Sequence, residues 1–417
     1  VTSSAALKVF RAIVLPWDCP CCRTSQSLQI FLILLFSDSP EEKMNRDNTI
    51  SLIKRLVQRI DTNTTDEAPD MMTESVADFL CPQRFARERQ QFFLDSPQVI
   101  GFAGEVKEPG SYITTESMGT PLVVTRDSDG QLRAFINACA HRGAKVAHGC
   151  GNKQRFTCKF HGWTYSLNGE LYGRPQDACF DKTDKYCGLK PLPVSDISGL
   201  IVIGLNPDMP QAVVDNHLAD IQDEFVGFGF HDLHSLETRR FEVKANWKII
   251  AALSYESYHF ATLHRDSVAQ WLRPNAVYDT FNNKHSRWSF AMKGTEKLKD
   301  KDTADWPDAV PGAVSHALFP GTVVITNPED AQIIRTEPGN SVGTSIVYYT
   351  GVCRHKEKME ASLAAYDFGG QAFEQEDLPA AIECQQGLTT GRDTIYIGKN
   401  EPVVQFWHRL WREKLKD

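Results

Sequence analysis

Cys139-Ala140-His141-Arg142-Gly143, joined further along by Cys158-Lys159-Phe160-His161-Gly162-Trp163, is the stretch that decides how the rest of the chain reads. It supplies two thiolates and two imidazoles as a Cys-x-His pair and a Cys-x2-His pair, with sixteen residues between them. Two Cys and two His suit a [2Fe–2S] cluster in which histidines replace the cysteines of one iron. Zinc accepts the same four donors. Zinc modules, however, space them as Cys-x2-4-Cys and His-x3-5-His rather than as two mixed pairs. The pattern therefore favours an iron–sulfur cluster. Gly143 and Gly162 help each ligand loop to bend.

Around the motif, from Gln98 to Leu205, short β-type runs alternate with turns: Pro121–Thr125, Leu132–Ile136 and Leu200–Leu205. Asn168-Gly169 has the chemistry of a hairpin turn. The cluster ligands thus sit in loops of an all-β domain. The flanks differ. Ile50, Ile53, Val57 and Ile60 recur at helical spacing, with Lys54, Arg55 and Arg59 off that face, and predict an amphipathic helix. Asp61–Asp70 reads as a polar linker, and Ala77–Leu94 as a further amphipathic helical segment. Beyond Pro207, helix and strand signals mix. Helices are expected around Val213–Phe225, Trp247–Tyr258, Glu376–Leu388 and Glu401–Leu415, and strands near Phe281–Phe290, Thr322–Thr326 and Ser345–Val352.

The chain has 417 residues, too many for one core, so two or three domains are expected. A net charge of −8 argues against a nucleic-acid surface. Eleven cysteines without regular spacing fit a reducing cytoplasm better than a disulfide scaffold. Residues 1–43 do not match the rest of the chain. Their longest apolar run, Leu28–Phe36, is nine residues and contains Gln29, far short of the ~20 that span a bilayer. No basic start or cleavage site marks a signal peptide, and the crowded Cys19, Cys21 and Cys22 are not read as a metal site. The expectation is an upstream, non-native or disordered extension with Met44 as the natural start; a native peptide containing Trp17 would contradict it.

A second constellation comes after Asn246-Trp247-Lys248: Glu256-Ser257-Tyr258-His259-Phe260-Ala261-Thr262-Leu263-His264. Two histidines five apart lie about 140° apart around an unbroken α-helix, so they share a metal only if the helix ends or bulges between them. Glu256 and His259 would share a face. Taken alone, either histidine could be an ordinary hydrogen-bonded residue. Together, the two constellations resemble the terminal oxygenase (alpha) subunit of the Rieske non-heme iron oxygenases, the aromatic-ring-hydroxylating type, from about Phe92 to the C-terminus.

That resemblance implies an α+β protein: an all-β Rieske [2Fe–2S] domain, then an α+β catalytic domain with a curved antiparallel sheet around a helix. The expected divisions are 44–97 as an N-terminal helical segment, 98–207 as the Rieske domain and 208–417 as the catalytic domain. Cys139, His141, Cys158 and His161 would hold the cluster. His259, His264 and a carboxylate would hold a mononuclear Fe(II) that leaves positions open for O2. The family's Asp precedes a Gln-x-Gly-Leu segment, here Gln385-Gln386-Gly387-Leu388, which points to Asp377; Glu376 and Glu374 compete because spacing cannot separate adjacent carboxylates. Glu256 falls where the family joins the two centres by an acid, and the implied path runs His161, Glu256, His259 across a trimer interface. Most members have Asp there; the carnitine-oxygenating branch resembles this chain in using Glu. Many also carry an Asn one turn earlier, where Ala252 and Leu253 stand.

No Gly-x-Gly-x-x-Gly precedes a helix, so nicotinamide electrons would have to arrive through a separate reductase or ferredoxin. Rieske centres at roughly −150 to +300 mV lie above plant-type ferredoxins at about −400 mV, so that transfer is downhill. The expected partners are a small-molecule substrate, aromatic or quaternary ammonium, the electron donor and two further copies of the chain, with or without a β subunit. Trp271, Trp288, Phe290 and Trp306 are candidates for a substrate pocket or a cage around an ammonium group. The competing expectation is a Rieske electron carrier whose C-terminal half binds no iron.

Overall fold

The computed structural model describes residues 46–180, 187–282 and 284–415. The expectations for residues 1–43, including the start at Met44, lie outside them. Among the described residues no helix is long and apolar enough to cross a membrane.

The β-rich part is built from three small antiparallel sheets. The largest runs Pro191–Leu192, Leu132–Ile136, Thr120–Arg126, Ser111–Ser117 and Cys150–Asn152 in spatial order. A second joins Arg155–Thr157, Thr164–Ser166 and Leu171–Gly173, and it bends at Asn168-Gly169 as expected. The third pairs Gln98–Phe102 with Leu200–Ile203 and so brings the two ends of this part together. Between the first two sheets, Phe135, Phe156, Trp163 and Tyr165 form a separate core that also holds Cys139 and Cys158. Gly169 adopts a φ of +89°, and a Cβ there would lie 2.3 Å from the Phe135 ring. Gly169→Ala should therefore cost about 2 kcal/mol or more through strain and overpacking. Chemical denaturation monitored by cluster absorption would check it.

The second part is one seven-stranded antiparallel sheet, open at both edges. Its spatial order is His234–Val243, Ser345–Cys353, Asp330–Pro338, Thr322–Thr326, Gly312–Leu318, His285–Met292 and Leu272–Phe281. Alternate residues face opposite cores, as a period of two requires. Val323, Ile334, Val347 and Phe290 join one core with Trp247, Trp407 and Trp411, while Val324, Ile333 and Val352 join another with Leu52, Ile53 and Phe225. The topology dictates where the candidate site must lie. His234–Val243 and Leu272–Phe281 are consecutive strands on opposite edges, so residues 244–271 must cross a face about 29 Å wide. Those are the residues that carry both candidate histidines.

Several expectations need correcting. The run near Phe281–Phe290 is not one strand: it contains the turn between Leu272–Phe281 and His285–Met292, which pair with each other. The Val213–Phe225 stretch is two short helices, Gln211–Asp215 and Gln222–Phe225. The Ala77–Leu94 segment breaks at Cys81, extended ahead of Pro82, into Ala77–Leu80, Pro82–Glu88 and a π-helical turn Arg89–Leu94. Asp61–Asp70 has no regular structure, yet it is no loose linker. Asp66 holds Arg55 and Arg59, and the Asp66 and Ala68 amides donate to the carbonyls of Ala276 and Lys399 at 2.9 and 2.7 Å. The helix Arg46–Asp61 buries Leu52, Ile53, Leu56 and Val57 against the sheet, and Met72–Ser75 pairs with Thr394–Ile397. The N-terminal segment is thus built into the C-terminal part.

Candidate metal centres

In the β-rich part, Cys139 and Cys158 are 3% and 2% exposed. Each sits at the head of a tight loop: the Gly143 amide donates to the Cys139 carbonyl at 2.8 Å, and the Gly162 amide to that of Cys158 at 3.0 Å. Gly143 and Gly162, at φ of +78° and +75°, supply the left-handed turn that each loop needs. His141 and His161 lie with ring centroids 4.6 Å apart, and His141 stacks on Trp163 at 5.1 Å. Nδ1 of His141 is buried without a hydrogen-bond partner, as a nitrogen awaiting a metal would be. Tyr165 was not singled out from sequence. Its hydroxyl lies 3.1 Å from Cys139 Sγ and accepts from the Ala140 amide at 3.0 Å, which leaves its proton for the sulfur. His161 is exposed, beside the 60% exposed Phe160.

The second centre begins with a helix that stops. Asn246 caps Trp247–Leu253 by accepting from the Lys248 amide at 3.0 Å, and the helix ends before Glu256. A tighter turn, Tyr258–Ala261, then carries His259, and the chain turns again before His264. Breaking the helix removes the angular mismatch between residues five apart: the two rings come to 4.9 Å. Opposite them, the helix Met359–Ala372 runs through a π-helical turn, Phe373–Asp377, into Leu378–Leu388. Such turns insert an extra residue and are frequent at functional sites. Gln385 ties the two walls together, its Oε1 accepting from the Asn246 amide at 2.8 Å.

The geometry separates the carboxylates that spacing could not. Asp377 Oδ1 lies 3.5 Å from His259 Nε2 and 3.2 Å from His264 Nε2. One donor atom from each of the three residues falls within 4.8 Å of the others. Asp377 Oδ1 is buried and without a hydrogen-bond partner. Glu376 instead meets His264 Nδ1 on the far edge of that ring and accepts from Ser267 Oγ at 2.7 Å. Glu256 takes His259 Nδ1 at 2.5 Å, and its other oxygen accepts from the Tyr258 and His259 amides. A carboxylate at each Nδ1 places the proton there and leaves both Nε2 lone pairs facing Asp377. Burial of His264 disfavours its charge, but Asp377 and Glu376 outweigh burial and hold its pKa above the ordinary imidazole value. Two imidazoles and one carboxylate on one side of a buried point fit a facial iron site.

Of the aromatic candidates, Trp288 and Phe290 belong here. Phe260 packs on His259, His264 and Phe290 at 5.1, 5.7 and 5.3 Å, and Phe290 lies 4.9 Å from Trp288. Trp306 does not: it sits in the core on the other sheet face, its indole donating to the Leu298 carbonyl. Trp271 borders the histidine segment, its indole nitrogen buried and unpartnered. Within one chain, among the described residues, no hydrogen bond joins His161 to Glu256.

Each centre falls within a region that matches a known family. Residues 96–193 match the family model of the Rieske [2Fe-2S] domain, and residues 230–417 that of the ring hydroxylating alpha subunit, catalytic domain. The chain belongs to the Rieske oxygenase alpha subunits. Among its relatives, the chloroplastic choline monooxygenase of Beta vulgaris is 30% identical over 56% of this chain and 52% of its own length. The carnitine monooxygenase oxygenase subunit of Acinetobacter baumannii is 26% identical over 73% of this chain and 82% of its own. The chain thus spans about half the length of the choline enzyme. In fold, the quaternary ammonium Rieske monooxygenase CntA bound to L-carnitine superposes with a TM-score of 0.68 at 23% identity, covering 84% of this chain and 96% of that one.

Proposed function

We propose that the chain is the terminal oxygenase of a multi-component system that oxidises a small quaternary ammonium compound, drawing electrons from a separate reductase or ferredoxin. The supporting observation is the buried, unpartnered Asp377 Oδ1 faced by both His259 Nε2 and His264 Nε2, which also weighs against a bare electron carrier. In this reading, the cluster would supply single electrons and the iron would activate O2.

The chain's own residues do the rest. Cys139, His141, Cys158 and His161 hold the cluster, and the Tyr165 hydroxyl bonds the Cys139 sulfur and fixes its orientation. His259, His264 and Asp377 would hold the iron. Phe260, Phe290 and Trp288, each under 8% exposed, pack beside the histidines and would offer aromatic surface to a cation. The quaternary ammonium substrates of the relatives' names match such a wall. Residues 98–207 form the Rieske domain and 208–417 the catalytic domain, preceded by 44–97 as an N-terminal helical segment. The eight described cysteines are all unpaired, in keeping with a reducing compartment such as the cytoplasm. The working unit is a homotrimer in which the exposed His161 of one copy reaches Glu256 of the next.

The decisive test supplies reductase, NADH and labelled O2 with choline, glycine betaine, carnitine and naphthalene in parallel. Label in an ammonium-derived product is the expected result; label only in a naphthalene diol would overturn the substrate class. Glu256→Gln tests the path. It keeps an acceptor for His259 Nδ1, so both metals should load, yet single-turnover oxidation of the reduced cluster should slow about tenfold or more. An unchanged rate would remove Glu256 from the path.

A further inference from the structure

We propose that Glu376, with Ser267, is a positioning pair for the iron site that presents His264 Nε2 to the metal. The inference rests on the reading that His259, His264 and Asp377 hold iron, and it gives a separate task to the carboxylate that spacing left as a rival ligand. Glu376 and Asp377 are adjacent in sequence, yet they bracket one imidazole from opposite edges: Asp377 Oδ1 stands 3.2 Å from Nε2 and Glu376 Oε2 meets Nδ1. The π-helical turn makes this pairing available, since it carries both residues at the point where the helix register shifts. Glu376 does not swing free. The oxygen that meets His264 also accepts from Ser267 Oγ at 2.7 Å, and the Ser267 amide closes its own turn on the His264 carbonyl at 3.1 Å. One carboxylate oxygen therefore clips both ends of the turn that delivers the ligand.

The chemical consequence is specific. A neutral imidazole can offer either nitrogen to a metal, and an anionic acceptor at Nδ1 settles the choice in favour of Nε2 while raising its basicity. His264 is 3% exposed, so water is poorly placed to take over that task. His259 obtains the same service from Glu256, but from within its own turn. For His264 the acceptor comes from a different helix, so ring orientation there depends on how the two walls of the site are held.

The test is a Co(II) titration of the full-length chain, cluster loaded and mononuclear site emptied by chelation, for wild type, Glu376→Ala, Glu376→Gln and Ser267→Ala. Glu376→Ala should weaken Co(II) binding about 10- to 100-fold and change the ligand-field absorption of the bound ion, with the cluster's absorption intact. Glu376→Gln keeps an oxygen acceptor for Nδ1–H and should lose less than about tenfold, with shifted bands. Ser267→Ala should fall between wild type and Glu376→Ala. Wild-type affinity and bands in Glu376→Ala would overturn the role of Glu376 alone. Absence of Co(II) binding in wild type would overturn the iron site with it. Should the alanine variant not fold, unchanged affinity and bands in Glu376→Gln would count against the proposal, and shifted bands would support it.

Discussion

Asp377→Ala should abolish turnover, lower bound iron from about three to about two per chain, and leave the absorption and EPR of the cluster unchanged. The two centres lie in separate cores: Cys139 and Cys158 pack with Phe156 and Trp163, whereas the helices flanking Asp377 pack with Trp247 and Trp407. Loss of one metal need not disturb the other. His259→Ala and His264→Ala should behave alike, because each removes one of three donors. Removing Asp377 also takes away the one negative charge that faces both Nε2 atoms. Iron analysis after anaerobic reconstitution checks the prediction. A third iron retained in Asp377→Ala would mean that Glu376, or an acid outside this cluster, supplies the ligand.

Glu88→Ala should be the most destabilising single change in the framework behind the site, at about 3–5 kcal/mol. Glu88 and Lys248 are both fully buried and form an ion pair, and the second Glu88 oxygen accepts from Trp247 Nε1 at 2.9 Å. Around the ammonium stand the rings of Phe79, Trp247 and Trp411, at 5.2–5.6 Å. Burial lowers the proton affinity of Lys248 and Glu88 opposes that. Without Glu88, an ammonium and an indole N–H are left unpaired in an apolar core. Replacing both partners together, Glu88→Leu with Lys248→Met, should cost far less, since two apolar groups leave no orphaned charge. Urea denaturation of the single and double variants would distinguish the two. An equal loss in both would make packing volume, not charge, the cause.

The candidate cluster ligands were legible because four residues of two scarce types, Cys and His, fall in two short loops marked by glycine. The histidine pair was legible only with a condition attached, that no unbroken helix carry both; the helix ends at Leu253, ahead of both, and the tighter turn that carries His259 closes at Ala261, before His264. Which of the adjacent acids, Glu376 or Asp377, faces both Nε2 atoms was not legible, because it depends on a one-residue register shift that composition does not signal. Neither were three strands of the large sheet. His234–Val243 is an edge strand rich in charge, Gly312–Leu318 mixes Gly, Ala and Ser with Val314, His316 and Leu318 and is buried on both faces, and Asp330–Pro338 carries Asp, Gln and Arg among its apolar residues. Alternation fails as a signal when neither face meets water. The hairpin at 281–285 was missed for a related reason: its flanking strands read as one continuous run.

The π-helical turn at Phe373–Asp377 makes iron retention sensitive to a single codon. Deleting one residue there would let the two flanking helices fuse into a regular one, rotating the second helix by about 100° relative to the first. The two helices could then no longer keep both the contacts between the acids and the imidazoles and the burial of Tyr366 on one side and Leu378, Ala381 and Leu388 on the other.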